Sequence, residues 1–171
     1  MPRRAVLSDE QRMALLALPD DETTLVQHWT LSEDDLAIIV RRRRPHNRLG
    51  FAIQLCALRY PGRLLRPGEL IPDTPLAFVA EQLQIAPEVL ADYATRGPTR
   101  YEQLDALREG FGFTQFSRPL RAALQEWLLP IALTTTSGAG LARSLLGECR
   151  RRRIIVPGIS SVERMVAQAL L

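Results

Sequence analysis

The residues able to attack a substrate, move a proton or hold a metal are few and scattered. His28 and His46 stand alone, with no second histidine or cysteine at ligand spacing, so no metal site is expected. Cys56 and Cys149 each lie inside an apolar helical pattern, which points to reduced, buried thiols. No serine or cysteine sits in a nucleophile motif, and no glycine-rich loop precedes a helix to cradle a phosphate. The acids fall at helix starts and on amphipathic faces. The chain is therefore not read as an enzyme, and no catalytic residue, cofactor or metal is expected of it.

What is dense is arginine. All 22 basic residues are arginine and none is lysine. Codon usage in a GC-rich genome accounts for part of this, but the chemistry holds whatever the cause. A guanidinium is a planar, permanently charged fork that suits phosphate oxygens and guanine edges. The net charge of +3 conceals an alternation: residues 1–40 carry −5, 41–70 carry +7, 71–110 carry −4 and 111–171 carry +5. Two basic blocks separated by acidic ones read as two contact surfaces for a polyanion. Each block holds a run of four, Arg41, Arg42, Arg43 and Arg44 in the first and Arg150, Arg151, Arg152 and Arg153 in the second. Both runs close helical patterns, where a cation gains about 0.3–1 kcal/mol from the helix dipole. Four in a row repel one another, and that repulsion is relieved when phosphates arrive. The alternative is a solvated helix end.

The elements that must position these residues read as helices almost throughout. Ser8 and Gln11 have capping-box spacing and open a helix that Pro19 stops, and a short helix fits residues 21–29. Ser32 opens a third, with Leu31 and Leu36 spaced as a hydrophobic staple. Pro45 ends it, and Asn47 is read as the N-cap of a fourth helix over 48–60. That helix is apolar almost all round, so Leu49, Phe51, Ile53 and Cys56 are expected to be deeply buried. Its only charges, Arg48 and Arg59, are close to a whole number of turns apart and are expected on one side, roughly 16 Å from each other.

Residues 61–75 hold four prolines and two glycines, together with Arg63 and Arg66, and read as a hinge or contact arm. Thr74 is expected to cap a helix with Pro75 at its first position, and a second helix fits 87–95. This pair has helix-turn-helix spacing, although Gln84 stands where glycine is usual. Glu88 and Asp92 make its outer face a poor one for phosphates, so it reads as scaffold. Thr99 and Glu102 have capping-box spacing before another helix, and further helices fit 118–133 and 140–152. Ser160 and Glu163 read as the cap of a last helix, still running at Leu171, so the chain is expected to belong to a longer one. The fold class is all-α, a multi-helix chain of two small helical DNA-binding subdomains with helix-turn-helix-like elements. The boundary between 1–70 and 71–171 falls in the Pro/Gly stretch. No apolar run reaches the ~18–20 residues of a membrane span, and no secretory leader is legible; the expected location is cytoplasmic.

Residues 43–62, from Arg43-Arg44-Pro45-His46-Asn47-Arg48-Leu49-Gly50-Phe51 to Arg59-Tyr60-Pro61-Gly62, resemble the signature near the start of Tn-three family transposases, the replicative, cointegrate-forming enzymes of bacterial transposons. Pro2-Arg3-Arg4, Gln82-Leu83, Tyr93-Ala94-Thr95-Arg96, Thr99-Arg100, Gly112-Phe113 and the stretch 151–157 fit the same pattern. Tyr101-Glu102-Gln103 departs from it, since a histidine commonly follows that glutamate. The resemblance implies an N-terminal region that binds double-stranded DNA at the terminal inverted repeats, joined to the remainder of the transposase chain. The catalytic part, similar to an RNase H fold with three metal-binding acids, would lie far downstream, and nothing here matches it. One contact is expected from residues 41–66, with Asn47, Arg48 and the preceding run near base edges or flanking phosphates, and a second from Arg96, Arg100 and Arg150–Arg153. The competing readings are a helical module for transposase assembly and a free-standing transcriptional repressor.

Overall fold

A computed structural model describes residues 6–93 and 97–171, and the side chains of all of these except 97–101. The described residues form helices and no strand. They gather into two compact units, one of Leu18–Tyr60 and Leu64–Phe113, the other of Met1–Ala17, Pro61–Arg63 and Thr114–Leu171. The chain thus passes from one unit to the other both before and after Pro61–Arg63, within the proline- and glycine-rich stretch.

The first unit holds α2 (Glu22–His28), α3 (Glu33–Ile39), α4 (Pro45–Arg59), α5 (Asp73–Leu83) and α6 (Gly97–Phe111), one of which is a buried apolar rod. That rod is α4. Leu49, Phe51, Ile53 and Cys56 are each fully buried, as the all-round apolar pattern requires. Burying a side chain such as Phe51 contributes about 2–3 kcal/mol. Two polar side chains drawn into this core are hydrogen-bonded. The indole N–H of Trp29 donates to the Tyr60 carbonyl at 2.9 Å, and Gln54 Oε1 accepts from the Leu65 amide at 2.8 Å. Gly50 is the one residue of α4 where a side chain would not fit: an added Cβ would run into the Tyr93 ring.

Several boundaries differ from expectation. Helix α4 starts at Pro45, not Arg48, so Asn47 is its third residue and does not cap it; Arg44 occupies the N-cap without a side-chain hydrogen bond. Proline fits the first helical position because its missing N–H has no partner there anyway. Helix α5 starts at Asp73 after Pro72, so Thr74 is inside it. Gln84 then takes the left-handed conformation (φ 56°) that the glycine-like turn position demands. The next element is a 3₁₀ helix, Pro87–Asp92, which packs on α4 in place of the α-helix expected over 87–95. The expected cap at Thr99 lies outside the described side chains.

In the other unit, α1 (Asp9–Leu15), α7 (Arg118–Ala132), α8 (Gly138–Arg151) and α9 (Ile159–Ala169) enclose a core of Leu7, Leu124, Leu128, Leu141, Leu145, Cys149, Val162 and Met165. Ser8 and Gln11 form the expected capping box on α1, whereas α9 begins after Gly158 with no side-chain cap. The extended piece after α8 makes one parallel bridge, Thr114 to Ile154. The Val156 amide donates to the Gly62 carbonyl at 2.8 Å, and Gly62 has φ +107°, which favours glycine.

Candidate nucleic-acid interface

The two arginine runs have different environments. The first connects α3 to α4, and its members divide by direction. Arg41, Arg43 and Arg44 are exposed, and among the described residues their side chains make no hydrogen bond or ion pair. Arg42 turns inward, with its guanidinium carbon 4.9 Å from the centroid of the Phe51 ring. The chain keeps a turn-like path after Ile39, with the Arg41 and Arg42 amides donating to the Ile38 and Ile39 carbonyls at 3.2 and 3.0 Å.

Arg48 and Arg59, the two charges of α4, are both engaged within the protein. Arg48 Nε donates to the Arg42 carbonyl at 2.7 Å and Nη2 to the Val40 carbonyl at 3.3 Å. Arg59 grips the buried Asp35 with both terminal nitrogens, at 2.7 and 2.9 Å, and lies 5.5 Å from the centroid of the Phe111 ring. The two-pronged hydrogen bond from Arg59 holds the Asp35 carboxyl below its ordinary range, while Arg59 itself is raised. Asp35 has a second task, closing the capping box on Ser32 at the start of α3. Asn47 and His46 are half-buried, and Arg66 is exposed, with its side chain free among the described residues.

The second run lies in the other unit at the end of α8, where two of its members share one carboxylate. Glu148 accepts from Arg151 Nε at 3.0 Å and from Arg152 Nε at 2.8 Å. Those guanidinium bonds, Arg151's first, hold the Glu148 carboxyl down at about 2. Arg150 Nη1 donates to the Pro61 carbonyl at 3.2 Å, and Arg63 Nε to the Leu16 carbonyl at 2.6 Å. Arg153 is exposed, in the left-handed conformation at φ 54°. Arg96 and the side chain of Arg100 lie outside the described residues.

Sequence reasoning passes over the two buried acids. Glu148 stands three and four residues before Arg151 and Arg152, a helical pairing visible in the sequence. Asp35 and Arg59 are 24 residues apart, and only the packing of α3 on α4 joins them. Cys56 and Cys149 are free and buried; burial pushes their thiols up to about 12 and about 11. Among the described residues no group of three or more His, Cys, Asp or Glu could hold a metal, and no helix is long and apolar enough to cross a membrane.

Residues 6–169 match the family described as a domain of unknown function, DUF4158. The chain is 42% identical over 99% of its length to the transposase for transposon Tn21 of Escherichia coli. It is 38% identical over 99% to the transposase for transposon Tn501 of Pseudomonas aeruginosa, and 31% identical over 98% to that for transposon gamma-delta of Escherichia coli K12. It spans only 17% of the length of each of these relatives. Matched almost from end to end, the chain belongs to the DUF4158 family, and it is similar to the N-terminal part of Tn-three family transposases.

Proposed function

We propose that this chain binds double-stranded DNA and recognises the terminal inverted repeats of a transposon, as the N-terminal part of a transposase. The observation that carries the reading is the turn between α3 and α4. It displays Arg41, Arg43 and Arg44 with no partner among the described residues, while nearly every other arginine of the first basic block is held inside the protein. Three unpaired guanidiniums on one short turn are costly for a fold by itself and favourable beside a phosphate backbone, where they displace condensed counterions. They lie on a turn anchored at both ends, so their placement is fixed before DNA arrives. The family adds to this, since the similar proteins are transposases of named transposons. In the intact protein the partner of this region is the remainder of the transposase chain.

The test is a gel shift with a duplex carrying the terminal inverted repeat of the transposon that encodes the chain, against a scrambled duplex of equal length and composition. Binding that prefers the terminal repeat and weakens steeply with salt supports the reading. Equal binding to both would limit the chain to non-specific DNA contact, and salt-resistant self-association without DNA binding would favour an assembly module.

A further inference from the structure

We propose that Arg48 is a positioning residue: its guanidinium ties the first turn of α4 to the carbonyls just after α3 and so holds Arg41, Arg43 and Arg44 outward. The proposal rests on the DNA-binding reading above and assigns Arg48 a role different from base or phosphate contact.

Three observations carry it. Arg48 is half-buried, and two of its nitrogens are already committed, Nε to the Arg42 carbonyl at 2.7 Å and Nη2 to the Val40 carbonyl at 3.3 Å. Those carbonyls belong to the chain leaving α3, where backbone acceptors have run out of helical donors. The same turn is fixed from its other side by Arg42 against the Phe51 ring, and Phe51 is a fully buried residue of α4. The turn is therefore held at two points by α4, one through a backbone carbonyl and one through a side chain. Of its four arginines, the one whose carbonyl and side chain are both engaged is the one that does not reach solvent freely. A guanidinium reaches two carbonyls at once because its nitrogens lie in one rigid plane; a lysine ammonium on a flexible stem cannot reproduce that fork.

This separates Arg48 from a phosphate contact in a way substitutions can read. In Arg48→Met and Arg48→Lys the DNA-free protein should exchange the Arg41 and Arg42 amides about tenfold faster, with the amides of residues 51–58 unchanged. On a random-sequence duplex both variants should bind several-fold more weakly, with the slope of log affinity against log salt within about 0.3 of the parent, because the exposed arginines remain. If Arg48 gripped a phosphate instead, Arg48→Met would lower the slope by about 0.9, and Arg48→Lys would behave as the parent. Unchanged exchange at Arg41 and Arg42 in both variants overturns the proposal, as does that second pattern of slopes. Should Arg48→Met fail to fold, seen as fast exchange throughout 51–58, Arg48→Lys decides by the same two readouts. Replacing Arg41, Arg43 and Arg44 tests the run separately; if that variant binds DNA as the parent does, the run is not the DNA contact, and absence of DNA binding by the parent itself fails the DNA reading, while the exchange data still judge the latch.

Discussion

Replacing Arg41, Arg43 and Arg44 together by glutamine removes three positive charges from a turn without touching anything inside the protein. All three side chains are exposed and unpartnered among the described residues. Surface substitutions of that kind shift stability by about 0.5 kcal/mol or less each, so the variant should fold and melt close to the parent. Arg42 and Arg48 stay, and with them the anchoring of the turn. Each phosphate contact contributes about −0.9 to the slope of log affinity against log salt, so three lost contacts should make the slope shallower by about 2.7. A rise in salt from about 50 to about 200 mM should then shrink the parent's advantage over the variant roughly 40-fold. The assay is fluorescence anisotropy of a labelled random-sequence duplex titrated at four or more salt concentrations. A slope that changes by less than about 1 would refute the reasoning and leave the run as a solvated helix end.

Four further outcomes are expected. Asp35→Asn leaves Arg59 without its counter-charge and should cost about 2–3 kcal/mol in chemical denaturation, below the 3–5 of a fully buried pair because the Arg59 side chain is 31% exposed; an unchanged midpoint would show the pair to be neutral. Asp35 and Glu148 both have carboxyls held below their unfolded values, so the stability they add is complete above about pH 5 and is lost as pH falls through their lowered folded values, for Glu148 toward about 2. Asp35→Asn with Glu148→Gln should flatten that acid limb, and a double variant with the parent's pH profile would contradict the linkage. Gly50→Ala drives a methyl into the Tyr93 ring and should destabilise by about 1–3 kcal/mol, read as a lower denaturation midpoint. Iodoacetamide should leave Cys56 and Cys149 of the folded protein unlabelled and modify both after denaturation, since burial raises both thiols; rapid labelling of the native chain would show that a unit opens readily.

The helices are legible where one local signal dominates. Capping spacing places α1 and α3, and the all-round apolar run of α4 identifies the core rod and its buried residues. Boundaries slip where one residue serves two elements. Pro45 reads in the sequence as the stop of the preceding helix, but it is also the first residue of α4; giving Asn47 the cap displaces the helix start by three residues. The 3₁₀ helix at Pro87–Asp92 cannot be told from an α-helix, because hydrophobic spacing over six residues fits both. The candidate site is legible as a cluster of charge but not as a set of directions. Which arginine turns inward depends on Phe51 from α4 and on Asp35 from α3, contacts made across the fold.

That difference alters how a basic patch should be counted. Residues 41–70 contain eight arginines and one acid, and the formal +7 suggests as many phosphate contacts. In the folded unit Arg42 lies against a ring, Arg48 serves two carbonyls and Arg59 is neutralised by Asp35. Arg63, in the other unit, donates to the Leu16 carbonyl. Among the described residues Arg41, Arg43, Arg44 and Arg66 are left with free side chains, which limits this block to about four counterions released, against the seven its formal charge suggests. The engaged arginines still matter to DNA binding, but through geometry: a guanidinium that donates to a carbonyl fixes backbone, and fixed backbone places the free ones. Arginine suits both tasks because its charge survives partial burial and its fork can hold two acceptors. A lysine-rich version of the same block would carry the same formal charge, and it would have no equivalent of the Arg48 fork to the Val40 and Arg42 carbonyls or of the two-pronged grip of Arg59 on Asp35.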